Sequence, residues 1–187
     1  MKNEDMEKLK QAQFSPWIQK STRLRCKRRK ILGGVSNAFR HQMNVFAILI
    51  DHEVYDTVIL KASLIHDLVE DFRDTDLNEL RYIDYDGYEV VNVVLELTVK
   101  DYPVIEEKKD YLQRILEYGS DRAKIVKAAD RIDNLMQMNF NNDNKAYIKK
   151  YLDETEQYVV TGVEPLKLSL AIELRDLISR LRDEHGV

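Results

Sequence analysis

Residues 64–72 read LIHDLVEDF. A His66-Asp67 pair is followed one turn later by a Glu70-Asp71 pair, all within an apolar run of Leu64, Ile65, Leu68, Val69 and Phe72. The pattern predicts a helix from Thr57 to about Asp71. In such a helix His66 stacks on Glu70 and Asp67 on Asp71, since positions four apart share a face. Acids near a helix C-terminus oppose the macrodipole, at roughly 0.3–1 kcal/mol each. A divalent cation would offset that, because it takes carboxylate and imidazole ligands together. The plainer alternative is a satisfied core histidine beside solvated acids at a frayed helix end.

The flanking sequence is helical in the same way. Phe39, Met43, Phe46, Ala47 and Ile50 recur at helical spacing, with Ser36 as candidate cap. Upstream, helices are expected from Glu4 to Phe14 and from Ser15-Pro16 to about Lys30, where Gly33-Gly34 breaks the chain. Downstream, Thr75 or Asp76 caps a short helix from Leu77 to Tyr82, and DYDG (84–87) turns. Tyr88 to Val99 is rich in β-branched residues, as strands are, but its length and Val90-Val94-Leu97 spacing favour a helix. Further helices are expected from Pro103 to Tyr118, after a Gly119-Ser120-Asp121 break to Phe140, and, past a turn at NNDN (141–144), over Lys145–Thr161 and Glu164–Asp183.

Composition agrees. The chain has 187 residues, 44% hydrophobic and 33% charged, with three prolines and six glycines. That fits one all-α domain spanning 1–187, a bundle of about eight to ten helices. The net charge of −4 argues against general nucleic-acid binding. One cysteine, Cys26, allows no internal disulfide and points to a reducing cytoplasm. The N-terminus lacks the apolar stretch of a signal peptide, and no apolar run approaches the roughly 18 residues of a membrane span. The oligomeric state stays open.

Two more segments complete a metal-site pattern. His41 lies on the helix after Ser36. Asp130 sits among Ile125, Val126, Ala128, Ala129, Ile132 and Leu135, with Asn134 one turn later. A buried carboxylate needs a partner, either a basic residue such as Arg131 or a metal. His41, His66, Asp67 and Asp130 offer two nitrogens and two carboxylates, a set suited to Mn²⁺, Fe²⁺ or Zn²⁺. Glu70 and Asp71 are then spare carboxylates for acid–base work. Six of the eight residues from Arg23 to Lys30 are basic. They read as a solvated face, a nucleic-acid patch or a funnel for an anionic nucleotide, and the acidic chain around them favours the funnel.

Taken in order, these motifs resemble the HD superfamily of metal-dependent phosphohydrolases. The nearest resemblance is to the guanosine tetraphosphate (ppGpp) hydrolase domain of RelA/SpoT homologues and to the small alarmone hydrolases. It rests on ILKASLIHDLVED (59–71), DGYEVVNVVLELT (86–98), EEKKDYLQRI (106–115) and KIVKAADRIDNL (124–135), within about Cys26 to Tyr151. The resemblance implies one Mn²⁺ on His41, His66, Asp67 and Asp130, with Glu70 and Asp71 acting on the attacking water and the leaving group. It implies substrate contacts from Arg29, Lys30, Lys108, Asn134 and Tyr151, and hydrolysis of the 3′-pyrophosphate; with the sequence ending soon after the last helix, hydrolysis only is expected. The chain departs from the family at Gln42 (usually Pro), Asn37-Ala38 (usually Pro-Tyr) and Asp133 (often His or Tyr). Those departures leave the metal ligands intact and bear on the base- and ribose-binding surface. Other readings are an HD hydrolase of another nucleotide (NADPH or a nucleoside phosphate), a non-catalytic nucleotide sensor, or a helical nucleic-acid adaptor.

Overall fold

The structure, a computed structural model, describes residues 2–31, 34–100, 105–137 and 145–187. The helices in chain order are α1 (Asn3–Gln11), α2 (Ser15–Ser21), α3 (Ala38–Asp51), α4 (Thr57–Ile65), α5 (Leu68–Asp71), α6 (Leu77–Arg81), α7 (Gly87–Leu97), α8 (Lys108–Tyr118), α9 (Asp121–Gln137), α10 (Lys145–Glu154), α11 (Thr161–Val163) and α12 (Leu168–His185). A 3-10 turn (Thr22–Cys26) follows α2, and a hairpin of β1 (Arg28–Ile31) and β2 (Gly34–Asn37) leads into α3. The expected all-α class holds apart from that hairpin.

Helix α4 is the centre of the bundle. Every residue from Val58 to Ile65 is buried, Lys61 and Ser63 included. A helix buried all round must be enclosed by others, and α2, α3, α7 and α9 pack around it. Leu60, Leu64 and Ile65 are fully buried, each contributing about 1.5–3 kcal/mol by burial. Asp56 caps α4 by accepting from the Val58 and Ile59 N–H groups. On the far side, α12 packs against α9. Among the described residues, no helix is long and apolar enough to cross a membrane.

Several boundaries differ from the sequence reading, each for a local reason. The helix expected to reach Lys30 ends at Ser21, and Arg28–Ile31 pairs antiparallel with Gly34–Asn37. Six basic side chains would repel along one short helix, whereas β1 alternates exposed Arg28 and Lys30 with half-buried Arg29 and Ile31. The cap of α3 is Asn37, which accepts from the Arg40 N–H, and not Ser36. The helix expected over Thr57–Asp71 is interrupted at His66-Asp67. Helix α8 begins at Lys108, and residues 105–107 are not helical. A π-helical segment (Thr155–Val160) joins α10 to α11. Helix α12 starts at Leu168, after a turn containing Pro165. The choice between strand and helix over 88–99 resolves to helix α7. A Cβ at Gly87 would lie 2.3 Å from the Arg81 carbonyl oxygen, so only glycine fits the start of that helix. Gly33, Pro103, Phe140 and the turn at 141–144 lie outside the described residues.

Candidate active site

The site forms where α3, the α4–α5 break and α9 meet. His41 and Asp130 are brought in by α3 and α9, and the break presents His66 and Asp67. His66 Nδ1 donates to the Ser63 carbonyl at 2.8 Å, and His41 Nδ1 donates to Asp133 Oδ2 at 2.5 Å. With both Nδ1 atoms engaged, both Nε2 atoms turn to one point. They lie 3.2 Å apart, and His41 Nε2 is 3.0 Å from Asp130 Oδ1. One ligand atom from each of His41, His66 and Asp130 lies within 4.8 Å of the others. Asp67 stands at the edge, 3.4 Å from His66 Nε2 and 3.7 Å from His41 Nε2, with 35% of its side chain exposed. Two imidazoles and one carboxylate converging this way, with a second carboxylate at the edge, fit a divalent transition-metal ion.

Charge balance supports the fit. Burial alone would push Asp130 up, but Lys127 and the two histidines hold it well below the ordinary carboxylate range. Its Oδ2 accepts from Lys127 at 2.7 Å and its Oδ1 from Asn134 at 2.7 Å. Burial likewise opposes the Asp67 carboxylate, and the neighbouring His66 and His41 hold it below its usual value. His41 is buried, which by itself lowers its basicity; hydrogen bonds to Asp130 and Asp133 prevail and raise its pKa to about 9. The acid charge around this imidazole therefore favours its protonated form when no metal competes for it.

Above this point opens a cleft of about 480 Å³. Its walls include Lys27, Arg28 and Arg29 from the hairpin region and Lys108 and Lys127 from α8 and α9, with Glu70 and Asp71 beside His66 and Asp67. Glu70 Oε2 accepts from the Val99 N–H at 3.2 Å, and Asp71 pairs with Lys27 at 3.4 Å. Arg29 hydrogen-bonds the Asn134 side-chain oxygen. Lys108 is exposed as a residue, but desolvation of its ammonium, with Arg131 and Lys127 nearby, lowers its pKa to about 8. A wall carrying Lys27, Arg28, Arg29, Lys108 and Lys127 favours an anion.

Of the residues expected at the site, His41, His66, Asp67, Glu70, Asp71, Arg29, Lys108, Asp130 and Asn134 all line the cleft. Lys30 does not; it borders a small adjoining cavity of about 50 Å³ with Arg29, Asn134 and Gln137. Tyr151 is also outside the cleft lining, buried between the Lys108 ammonium and the Arg131 guanidinium, 4.6 and 4.2 Å from its ring centre. The basic partner of Asp130 is Lys127, and Arg131 stacks on Tyr151 instead. The i,i+3 spacing of Lys127 and Asp130 was a visible signal for that pair.

Two departures from the family pattern act in a place the sequence reading did not assign. Gln42 donates to Asp67 Oδ2 at 2.9 Å, and Asp133 accepts from His41. Both touch side chains of the His-Asp cluster. Ala38 is a cleft wall residue, and Asn37 caps α3.

Comparisons with known proteins agree with this geometry. No family model matches the chain. The mouse (Mus musculus) protein named guanosine-3′,5′-bis(diphosphate) 3′-pyrophosphohydrolase MESH1 is 31% identical over 153 residues, covering 79% of this chain and 80% of its own length. The human (Homo sapiens) protein of that name is 38% identical over 102 residues, 53% of this chain and 54% of its own. A solved structure, described as a metazoan orthologue of SpoT that hydrolyses ppGpp, superposes with a TM-score of 0.75 at 24% identity, over 89% of this chain and 94% of that one. The shared fold, the converging His-His-Asp group and the extent of the mouse match lead to one statement: this chain belongs to the MESH1 family of HD-type phosphohydrolases.

Proposed function

We propose that this chain, folded as a single domain, hydrolyses the 3′-pyrophosphate of guanosine tetra- or pentaphosphate, giving GDP or GTP and pyrophosphate, with Mn²⁺ as its ion. The observation that carries the reading is the convergence of His41 Nε2, His66 Nε2 and Asp130 at the floor of a cleft walled by arginine and lysine. The relatives' names supply the substrate class. His41, His66, Asp67 and Asp130 would hold the ion. Once bound, it would supply Lewis acidity, making water acidic near neutral pH and offsetting phosphoryl charge.

The chain's own residues supply the rest. Water adds to the phosphorus linked to the ribose 3′-oxygen, the P–O3′ bond breaks, and pyrophosphate departs. Glu70 and Asp71 take the water proton and return one to the ribose oxygen; both carboxylates stand beside His66-Asp67 in the cleft wall. Glu70 is anchored through Oε2 at Val99, which leaves Oε1 for the proton. Lys27 holds Asp71. Arg29, Lys108 and Asn134 bind the phosphates and ribose, and Arg29 and Asn134 already brace each other. Catalysis in such a site is chiefly positioning and charge neutralisation. Lys30 and Tyr151 would act from outside the cleft lining, Tyr151 by supporting Lys108. A reducing, cytoplasmic setting suits the exposed free thiol of Cys26.

The test is incubation of the Mn²⁺-loaded protein with ppGpp and identification of products. GDP and pyrophosphate are expected. Their absence, with metal bound, overturns the reading. A second reading is hydrolysis of another nucleotide, such as NADPH or a nucleoside phosphate; Ala38 stands in the cleft wall where the family usually has Tyr. A substrate panel ranked by kcat/KM separates the two.

A further inference from the structure

Asp133 is not among the residues that line the cleft. Its side chain is buried on α9, one turn beyond Asp130. A buried carboxylate must be fully hydrogen-bonded, or it is strongly unfavourable. Here each oxygen has a role. Oδ2 accepts His41 Nδ1 at 2.5 Å; Oδ1 accepts Asn44 Nδ2 at 2.9 Å and also the Gln137 side-chain amide. Asn44 lies three residues after His41 on α3, and Gln137 four after Asp133 on α9. The carboxylate is therefore clamped from both helices, and it clamps the imidazole in turn.

We infer that Asp133 is a positioning residue of the metal centre: it holds His41 with Nε2 toward Asp130 and strengthens that nitrogen as a metal donor. An imidazole that gives its other N–H to a carboxylate is fixed in tautomer and ring angle and is a stronger ligand, and loss of such a partner weakens metal binding by about 10–100-fold. Gln42 does the equivalent for Asp67, through a bond of 2.9 Å. Asp133 contributes no ligand atom to the converging group, which consists of His41, His66 and Asp130. Its action passes through His41.

This assignment rests on the metal-centre part of the proposed function and not on the nucleotide. The experiment is Mn²⁺ and Zn²⁺ affinity of the metal-free protein by competition with a chromophoric chelator at one pH, for the parent chain, Asp133→Asn and Asn44→Ala. The expected result is about 10–100-fold weaker binding for Asp133→Asn, and a smaller loss in the same direction for Asn44→Ala. In turnover at limiting metal, kcat falls and added metal recovers part of it, while KM moves less than about twofold. A merely structural role would lower the melting temperature of the metal-free protein without changing affinity per folded molecule. If both variants bind metal within about twofold of the parent, or if the loss lies in KM, the assignment is overturned. If Asp133→Asn does not fold, Asn44→Ala decides alone by the same criterion. If the parent chain itself binds neither ion, the metal-centre reading fails and Asp133 with it.

Discussion

Two buried polar networks hang from the same central helix, and they are built on opposite principles. At one, Lys61 on α4 reaches Asp84 at 2.9 Å and Asp86 at 2.7 Å. Trp17 donates to Asp84, and Thr57 donates to Asp86. Asp86 is lowered below its usual value: burial opposes ionisation, but the Lys61 and Thr57 hydrogen bonds outweigh it. Cation and donors there meet the acceptors from inside the chain. Further along the same stretch, His66 and His41 bring their Nε2 atoms to 3.2 Å from each other beside Asp67 and Asp130, at the floor of the cleft. A network closed on itself is structural. One with converging acceptors and a cleft in front of it needs something from outside.

The sharpest way to break this comparison is to remove one acid from the open network. Asp130→Ala should lower kcat/KM by on the order of 10²–10³-fold or more and deplete the bound metal, read by steady-state kinetics and elemental analysis of the same sample. The metal-free variant should also melt below the parent, because Asp130 is the acceptor shared by the Lys127 ammonium and His41. A fully active Asp130→Ala would place the chemistry elsewhere.

The closed network should answer in the reverse way. Lys61→Met leaves two partly buried carboxylates without their cation and should destabilise the fold by about 3 kcal/mol, measured by urea unfolding. Metal affinity of the molecules that remain folded should match the parent.

A pH series separates the two networks without mutation. The folded pKa of His41, about 9, is raised from 6.5, so it stabilises the metal-free fold fully below about 6.5 and loses that contribution as pH rises through about 9. Metal must displace that proton. Apparent affinity should therefore rise about tenfold per pH unit up to about 9 and then flatten. An affinity that stays constant below that pKa would mean that His41 is not a ligand.

The smallest effect concerns the helix common to both. Asp56→Ala removes the cap of α4 and should lower stability by about 1 kcal/mol, with a correspondingly small drop in melting temperature and no preference for either network. A selective loss of metal binding would show that the cap orients the His66-Asp67 break.

Much of the molecule was legible locally. The apolar spacing of α3, α4, α7 and α9 and the cap at Asp76 follow from residues within a few turns of one another, whereas the candidate ligands His41, His66, Asp67 and Asp130 came from the order of motifs along the whole chain. The basic run was legible as charge but not as shape. Its strand conformation depends on pairing Arg28 with Asn37 across the hairpin. Tyr151 could be placed in sequence, but its burial between Lys108 and Arg131 joins α8, α9 and α10.

The amino-acid sequence by itself determined the helical class, the order of the metal-site motifs and the excess of acid at LIHDLVEDF, because periodicity and composition are properties of neighbours along the chain. Only the tertiary structure decided what Gln42 and Asp133 do. Their partners, Asp67 and His41, lie 25 and 92 residues away. A hydrogen bond between side chains that distant exists only after α3, α4 and α9 have packed, so no local pattern could carry it.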